Sequence, residues 1–244
     1  MKNIFIWLVI IILLPLISFY TVMEGYFFFK PIEVFHEVVG RIIPLFFPII
    51  VIILFLTNFT QEQKNNFITY TRPRIPLNIY ILSKGLMNAF LTGAIIFLTI
   101  FLSFVFSVYI EPHYLKFIDF SSTSVETYSV TFYQFLPYGD FTYGIAYSLW
   151  VSINAILYST ISFLLLLLLR RSFVALSAPF LFYHIFNFIA GVFGVAKFSP
   201  VSTIFPFNIE QQPLWTVLVP FTFLLIISLF LYSKVIRNKE EWMI

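Results

Sequence analysis

Along this chain the apolar positions come in long unbroken runs, and the charged positions are confined to the gaps between them. Six stretches of 20 or more residues contain no Asp, Glu, Lys or Arg: 3–23, 42–61, 85–110, 141–169, 172–196 and 211–233. A helix rises 1.5 Å per residue, so about 20 residues cross a hydrocarbon core of about 30 Å. A charge near mid-bilayer costs roughly 2.5–3.5 kcal/mol, which explains why the charges avoid these stretches. Runs such as 9–14 and 164–169 hold no polar residue at all, unlike the roughly 10-residue alternating strands of a membrane barrel. The pattern predicts an all-α, polytopic membrane protein with six transmembrane helices in one domain over 1–244. Pro44, Pro48, Pro213 and Pro220 are expected in first turns or near helix ends, where a missing N–H costs little. Pro15 and Pro179 lie deeper and predict kinks.

Composition removes the soluble alternatives. Of 244 residues, 60% are hydrophobic, 21% are aromatic and 10% are charged, against about 25% charged in an ordinary soluble domain. The 34 Phe residues exceed what one aqueous core of this size could hide. Cysteine is absent, which removes disulfides, thiolate nucleophiles and Cys-metal sites.

The Lys and Arg residues set an expected orientation. With the N-terminus cytoplasmic, the inner segments hold ten cations against three acids, and the outer ones four cations against eight acids. Six spans put both termini on that basic, cytoplasmic side. The net charge of +3 is thus a leaflet bias and implies no nucleic-acid partner. Lys2 precedes an apolar stretch too long for a signal peptide and without an A-x-A type site, so a retained helix is expected.

Three outer loops follow, 24–41, 111–140 and 197–210. The first predicts a short helix with Pro31 in its first turn, Ile32, Phe35 and Val39 on one face, and Glu33 and Glu37 on another. Its expected place is flat on the outer leaflet. His36-Glu37 lacks the second His of H-E-x-x-H, so no metal ligand set is assigned. The second loop has a polar run followed by Tyr128, Phe132, Tyr133, Phe135 and Tyr138, suited to anchoring at headgroups or capping a vestibule. The third carries Pro200 and Pro206 among apolar residues and predicts a re-entrant element.

The cytoplasmic loop 62–84 reads EQKNNFITYTRPRIPLNIYILSK. A short helix over 65–70 is expected to close before Pro73, and another to begin near Leu77. Phe67, Ile68, Tyr70, Ile75, Ile79, Tyr80 and Ile81 are too apolar for a loop that faces only water. Glu62, Phe67-Ile68, Thr71-Arg72-Pro73, Arg74, Tyr80 and Ser83-Lys84 together resemble the first cytoplasmic loop of ABC-2 type exporter permeases. Six spans, a short Arg170-Arg171 turn between spans four and five, and a Pro-rich segment before span six agree with that family. The resemblance extends over the chain in topology but over only about 25 residues in motif, and span one begins without the family's usual preceding amphipathic helix. It implies a coupling loop (Glu62, Phe67, Arg72, Arg74, Tyr80, Lys84, with Arg170 and Arg171) that docks on a separate ABC ATPase. It also implies pairing as a homodimer or with a second permease, and residence in a bacterial plasma membrane.

Catalytic chemistry is sparse. No G-x-x-x-x-G-K-[ST], G-x-S-x-G or H-E-x-x-H occurs, so nucleotide would bind on the partner, with ATP and Mg²⁺ there and no cofactor here. Phe180-x-x-x-His184 resembles intramembrane CAAX-type proteases, but their paired-Glu motif is missing, so no enzyme activity is expected. His184 and Asn187 share a helix face in span five, and Asn154 and Ser159 are polar in span four. These four serve interhelical packing or line a substrate path. An aromatic, apolar path suits a hydrophobic or amphipathic substrate, and the resemblance to small permeases that export antimicrobial peptides or give immunity to them implies a peptide of that kind. The alternatives are a non-transporting immunity, assembly or regulatory subunit and, less well matched because no Asp or Glu lies inside a predicted span, a secondary transporter.

Overall fold

The computed structural model describes residues 2–23, 28–65, 75–120, 129–169 and 171–237. Helix α1 occupies 2–23, with a π-helical turn at Val9–Leu13 between Lys2–Leu8 and Leu14–Met23. Then come α2 (Pro31–Gly40), α3 (Ile42–Lys64) and α4, which is α-helical over Leu77–Val105 and π-helical over Phe106–Leu115. They are followed by α5 (Asp140–Leu168), α6 (Ser172–Val192), the short α7 (Pro200–Ile204) and α8 (Trp215–Arg237). Extended pairing among the described residues is limited to one bridge, Phe28 with Phe120. Among the described residues α1, α3, α4, α5, α6 and α8 are the six helices long and apolar enough to cross a membrane.

Helix α5 is the axis of the bundle. Its most apolar window is 67% buried, against 22% for α1, α6 and α8. Small residues let α4 lie close to it. A Cβ on Gly144 would sit 2.4 Å from the ring of Phe104, and one on Gly93 would sit 2.7 Å from Ile156. Polar side chains fasten the same seam: Ser152 donates to the Gly93 carbonyl at 2.8 Å, and Ser159 donates to Asn88 Oδ1 at 2.6 Å.

Two helices depart from the sequence expectation. Helix α4 begins near Leu77 as expected but runs on to Leu115, past the end of the uncharged stretch 85–110. Lys84 pairs with Glu62, and the fully buried Glu111 accepts the Ile118 N–H at 2.9 Å. Helix α2 buries its apolar residues against other helices of the bundle. Val34, Phe35 and Val39 are wholly buried and Val38 nearly so, because Val34 and Val38 give α2 a second apolar face. That face packs with Phe19 and Val22 of α1 and with Ile118. Its acids are turned aside: Glu33 accepts the Phe29 and Lys30 N–H groups, and Glu37 pairs with Arg41 at 3.1 Å.

The 197–210 segment turns into the bundle. Ser199 caps α7 by accepting the Ser202 N–H. Tyr147 and Trp150 of α5 donate to the carbonyls of Ile204 and Thr203 at 3.1 and 2.9 Å, and Phe205 is buried against Phe47. Residues 129–134 join this region through the Gln211 N–H to the Ser129 carbonyl and the Gln134 amide to the Gln212 carbonyl. Phe132 there holds φ at +80°, a conformation that a bulky residue keeps only where packing enforces it.

Candidate functional site

At the end of the bundle where α3 stops and α4 begins, three residues of the sequence motif meet. Glu62 lies in the last turn of α3, and Tyr80 and Lys84 stand one helical turn apart on α4. Lys84 Nζ donates to Glu62 at 2.7 Å and the Tyr80 hydroxyl donates to its other oxygen at 3.1 Å. Lys84 also lies over the Tyr80 ring, 5.7 Å from its centroid. The pair is about a quarter to a third exposed, so solvent screens it and its worth is modest. What it fixes is geometry: the two ends of the 62–84 loop are held together.

This latch is tied to the rest of the same end. Gln63 donates to the Leu166 carbonyl at 3.3 Å, linking α3 to the last turns of α5. Beneath it Phe59, Tyr80, Ile81, Leu167, Ala175 and Val235 form one apolar cluster drawn from α3, α4, α5, α6 and α8. Arg171 is exposed at the start of α6. Ile75, Ile79, Leu82 and Leu86 stay exposed beside the latch. Phe67, Arg72, Arg74 and Arg170, together with the helix expected over 65–70, lie outside the described residues.

The four intramembrane candidates are not brought to one place. Asn154 donates to the Trp150 carbonyl of its own helix. Ser159 is buried between Asn88 and Thr92. His184 packs against Phe180 and Tyr183, with its Nε2 buried and unpaired among the described residues, and Asn187 is partly exposed on α6. A crevice lined by Asn154, Tyr158, Phe186, Thr203 and Pro220 has about 10 Å³ of free space, room for one water molecule. Sequence reasoning passed over Asn88, Thr92, Thr99, Ser103 and Ser107, which form a buried polar stripe along α4. Their helical spacing was the available signal.

The opposite end of the bundle holds a second polar centre. His36 of α2 shares a 2.9 Å hydrogen bond with the Tyr143 hydroxyl and stacks on Phe207, 4.5 Å between centroids. Burial lowers its pKa to about 3, so the imidazole is neutral. Tyr133, 5.4 Å away, is shifted upward by burial and by the charge of Glu33. No group of three or more metal-ligating side chains gathers among the described residues.

The fold and its apolar surface define a multi-pass helical membrane protein. Comparison with protein-family models, with curated proteins and with solved structures finds no match for the chain.

Proposed function

We propose that this chain is the membrane-spanning subunit of an ATP-driven exporter of the ABC-2 type, in a bacterial plasma membrane with both termini cytoplasmic. The observation that carries the reading is the meeting of Glu62, Tyr80 and Lys84, residues 18 and 22 positions apart in sequence, at the base of one loop. A partner ATPase that pushes on 62–84 and 170–171 would act on a latched element, and the force would pass through Gln63 to α5. The spans then switch between packings biased by nucleotide on the partner. In this reading, which the small free volume of the crevice at Asn154 supports, the substrate path lies between two copies of the chain, or between it and a second permease. Its walls are apolar, which suits a hydrophobic or amphipathic substrate such as an antimicrobial peptide.

The test is co-expression with an ABC-type ATPase. The subunits should co-purify, and the ATPase rate should rise in the presence of membrane-active peptides. Arg72→Ala with Arg74→Ala should abolish that stimulation and export while leaving membrane insertion intact. Unchanged, partner-dependent export by the double variant would refute the coupling role. The closed interior favours one further reading, a non-transporting immunity or regulatory subunit. A chain that inserts and protects cells from such a peptide, yet never associates with an ATPase, would establish it.

A further inference from the structure

We infer that α1 is a hinged strap, fixed at both ends and bent at residues 9–15, that opens and closes a cleft between itself and α4 to the bilayer. Three independent features coincide there. The first is the backbone. The Leu14 N–H bonds to the Val9 carbonyl, five residues back, so the helix is underwound at this turn. Pro15 follows at once and has no N–H to give the preceding turn. Wide turns and missing bonds of this kind are where helices bend.

The second feature is the anchoring. Toward its start the Trp7 indole donates to the Leu54 carbonyl of α3 at 3.0 Å. Toward its end Arg41 donates to the Thr21 carbonyl, and Phe19 and Val22 are buried, Phe19 edge-on to Phe106 at 5.0 Å. Between these points Leu8, Ile12, Leu13, Leu16 and Ile17 are exposed, Ile11 and Leu14 are partly buried, and Ile10 and Ser18 are buried. The middle of α1 therefore has little burial to hold it. The third feature is what lies behind that middle. A cleft of about 140 Å³ is walled by Ile11, Ile12, Pro15 and Leu16 on one side and by Leu102, Ser103 and Phe106 on the other, with Val38 at its end. Its one hydroxyl, on Ser103, already donates to the Thr99 carbonyl of its own helix. A space of this size takes a benzene-sized apolar group, and the exposed Ile12, Leu16 and Leu102 stand at its mouth, so movement of α1 widens or narrows that mouth. Helix bending of this kind falls in the microsecond-to-millisecond range.

The absence of cysteine makes the test direct. Spin labels at Leu16→Cys and Leu102→Cys, both lipid-facing, are measured by pulsed dipolar spectroscopy in lipid nanodiscs. Two distances are expected, and Pro15→Ala should reduce the longer one several-fold by restoring a backbone bond. Trp7→Phe, which frees one anchor, should enrich it. A control pair at Leu8→Cys and Ile53→Cys, beside the anchor, should give one distance. A single distance for the first pair in the wild-type background would overturn the strap. So would two populations that neither Pro15→Ala nor Trp7→Phe alters.

Discussion

Replacing Gly144 with Ala tests whether α5 is seated where the bundle requires it. An Ala Cβ would fall 2.4 Å from Cδ1 and Cε1 of Phe104 and 2.8 Å from its Cγ, more than 1 Å inside ordinary carbon contact. The ring has little room to turn. Phe104 is fully buried and lies edge-to-face with Phe35 at 5.4 Å, and Phe35 is edge-on to Tyr147 at 5.8 Å. Overpacking of this kind costs about 1–3 kcal/mol, and three contacts with one immobile ring place this case near the upper end. The better helix propensity of Ala returns at most about 1 kcal/mol. The expected net loss is about 2 kcal/mol, close to a thirty-fold fall in the folded ratio. Reversible unfolding in mixed micelles, followed by tryptophan fluorescence, measures it. Gly191 is the control: no atom lies within 4 Å of its Cβ position, so Gly191→Ala should leave stability equal or slightly raised. In a Phe104→Leu background the Gly144→Ala penalty should shrink. A Gly144→Ala protein as stable as the parent would refute the close approach of α4 and α5.

Two further outcomes follow from the ends of the bundle. His36 is held neutral with a pKa lowered from 6.5 to about 3, so the unfolded chain takes up a proton that the fold refuses. Its contribution is complete above pH 6.5 and falls as pH drops from there toward 3; His36→Gln should lose less stability across that window than the parent, and parallel losses would contradict the assignment. For Glu62 and Lys84 a double-mutant cycle should give a coupling of up to about 1 kcal/mol that shrinks with added salt. A salt-independent value would mean that the pair acts through packing.

Much of the helix pattern was legible because the cost of charge in hydrocarbon is written residue by residue. The starts of α3 at Ile42 and α6 at Ser172 coincide with the start of an uncharged stretch. At α4 the charge gap 85–110 marks only the middle of the helix, which runs from Leu77 to Leu115, since a count of charges cannot see their partners. Glu62 is 22 residues from Lys84, and only the folded chain shows them paired. The second apolar face of α2 escaped the pattern for a related reason. Its Val34 and Val38 read as the polar side's neighbours on a helical wheel, yet α1 supplies a wall that buries them.

The candidate site was legible in part, and the division has a physical cause. Tyr80 and Lys84 are four residues apart on one helix, so their common face follows from helical periodicity alone. The link of Gln63 to Leu166 bridges 103 positions, and that of His36 to Tyr143 bridges 107; no local pattern encodes either. The intramembrane polar residues show the same contrast. Asn154 satisfies its amide on its own helix, whereas Ser159 needs Asn88 from α4. A serine or asparagine in a span is expected to be bonded, because an unpaired polar group in hydrocarbon is costly. It does not announce to what. Thr99, Ser103, Ser148 and Ser162 donate to carbonyls of their own helices, whereas Ser152 and Ser159 reach across to α4. The buried hydroxyls of Ser18 and Ser107 have no partner among the described residues, so which of these outcomes a given side chain meets is set by what the fold places beside it.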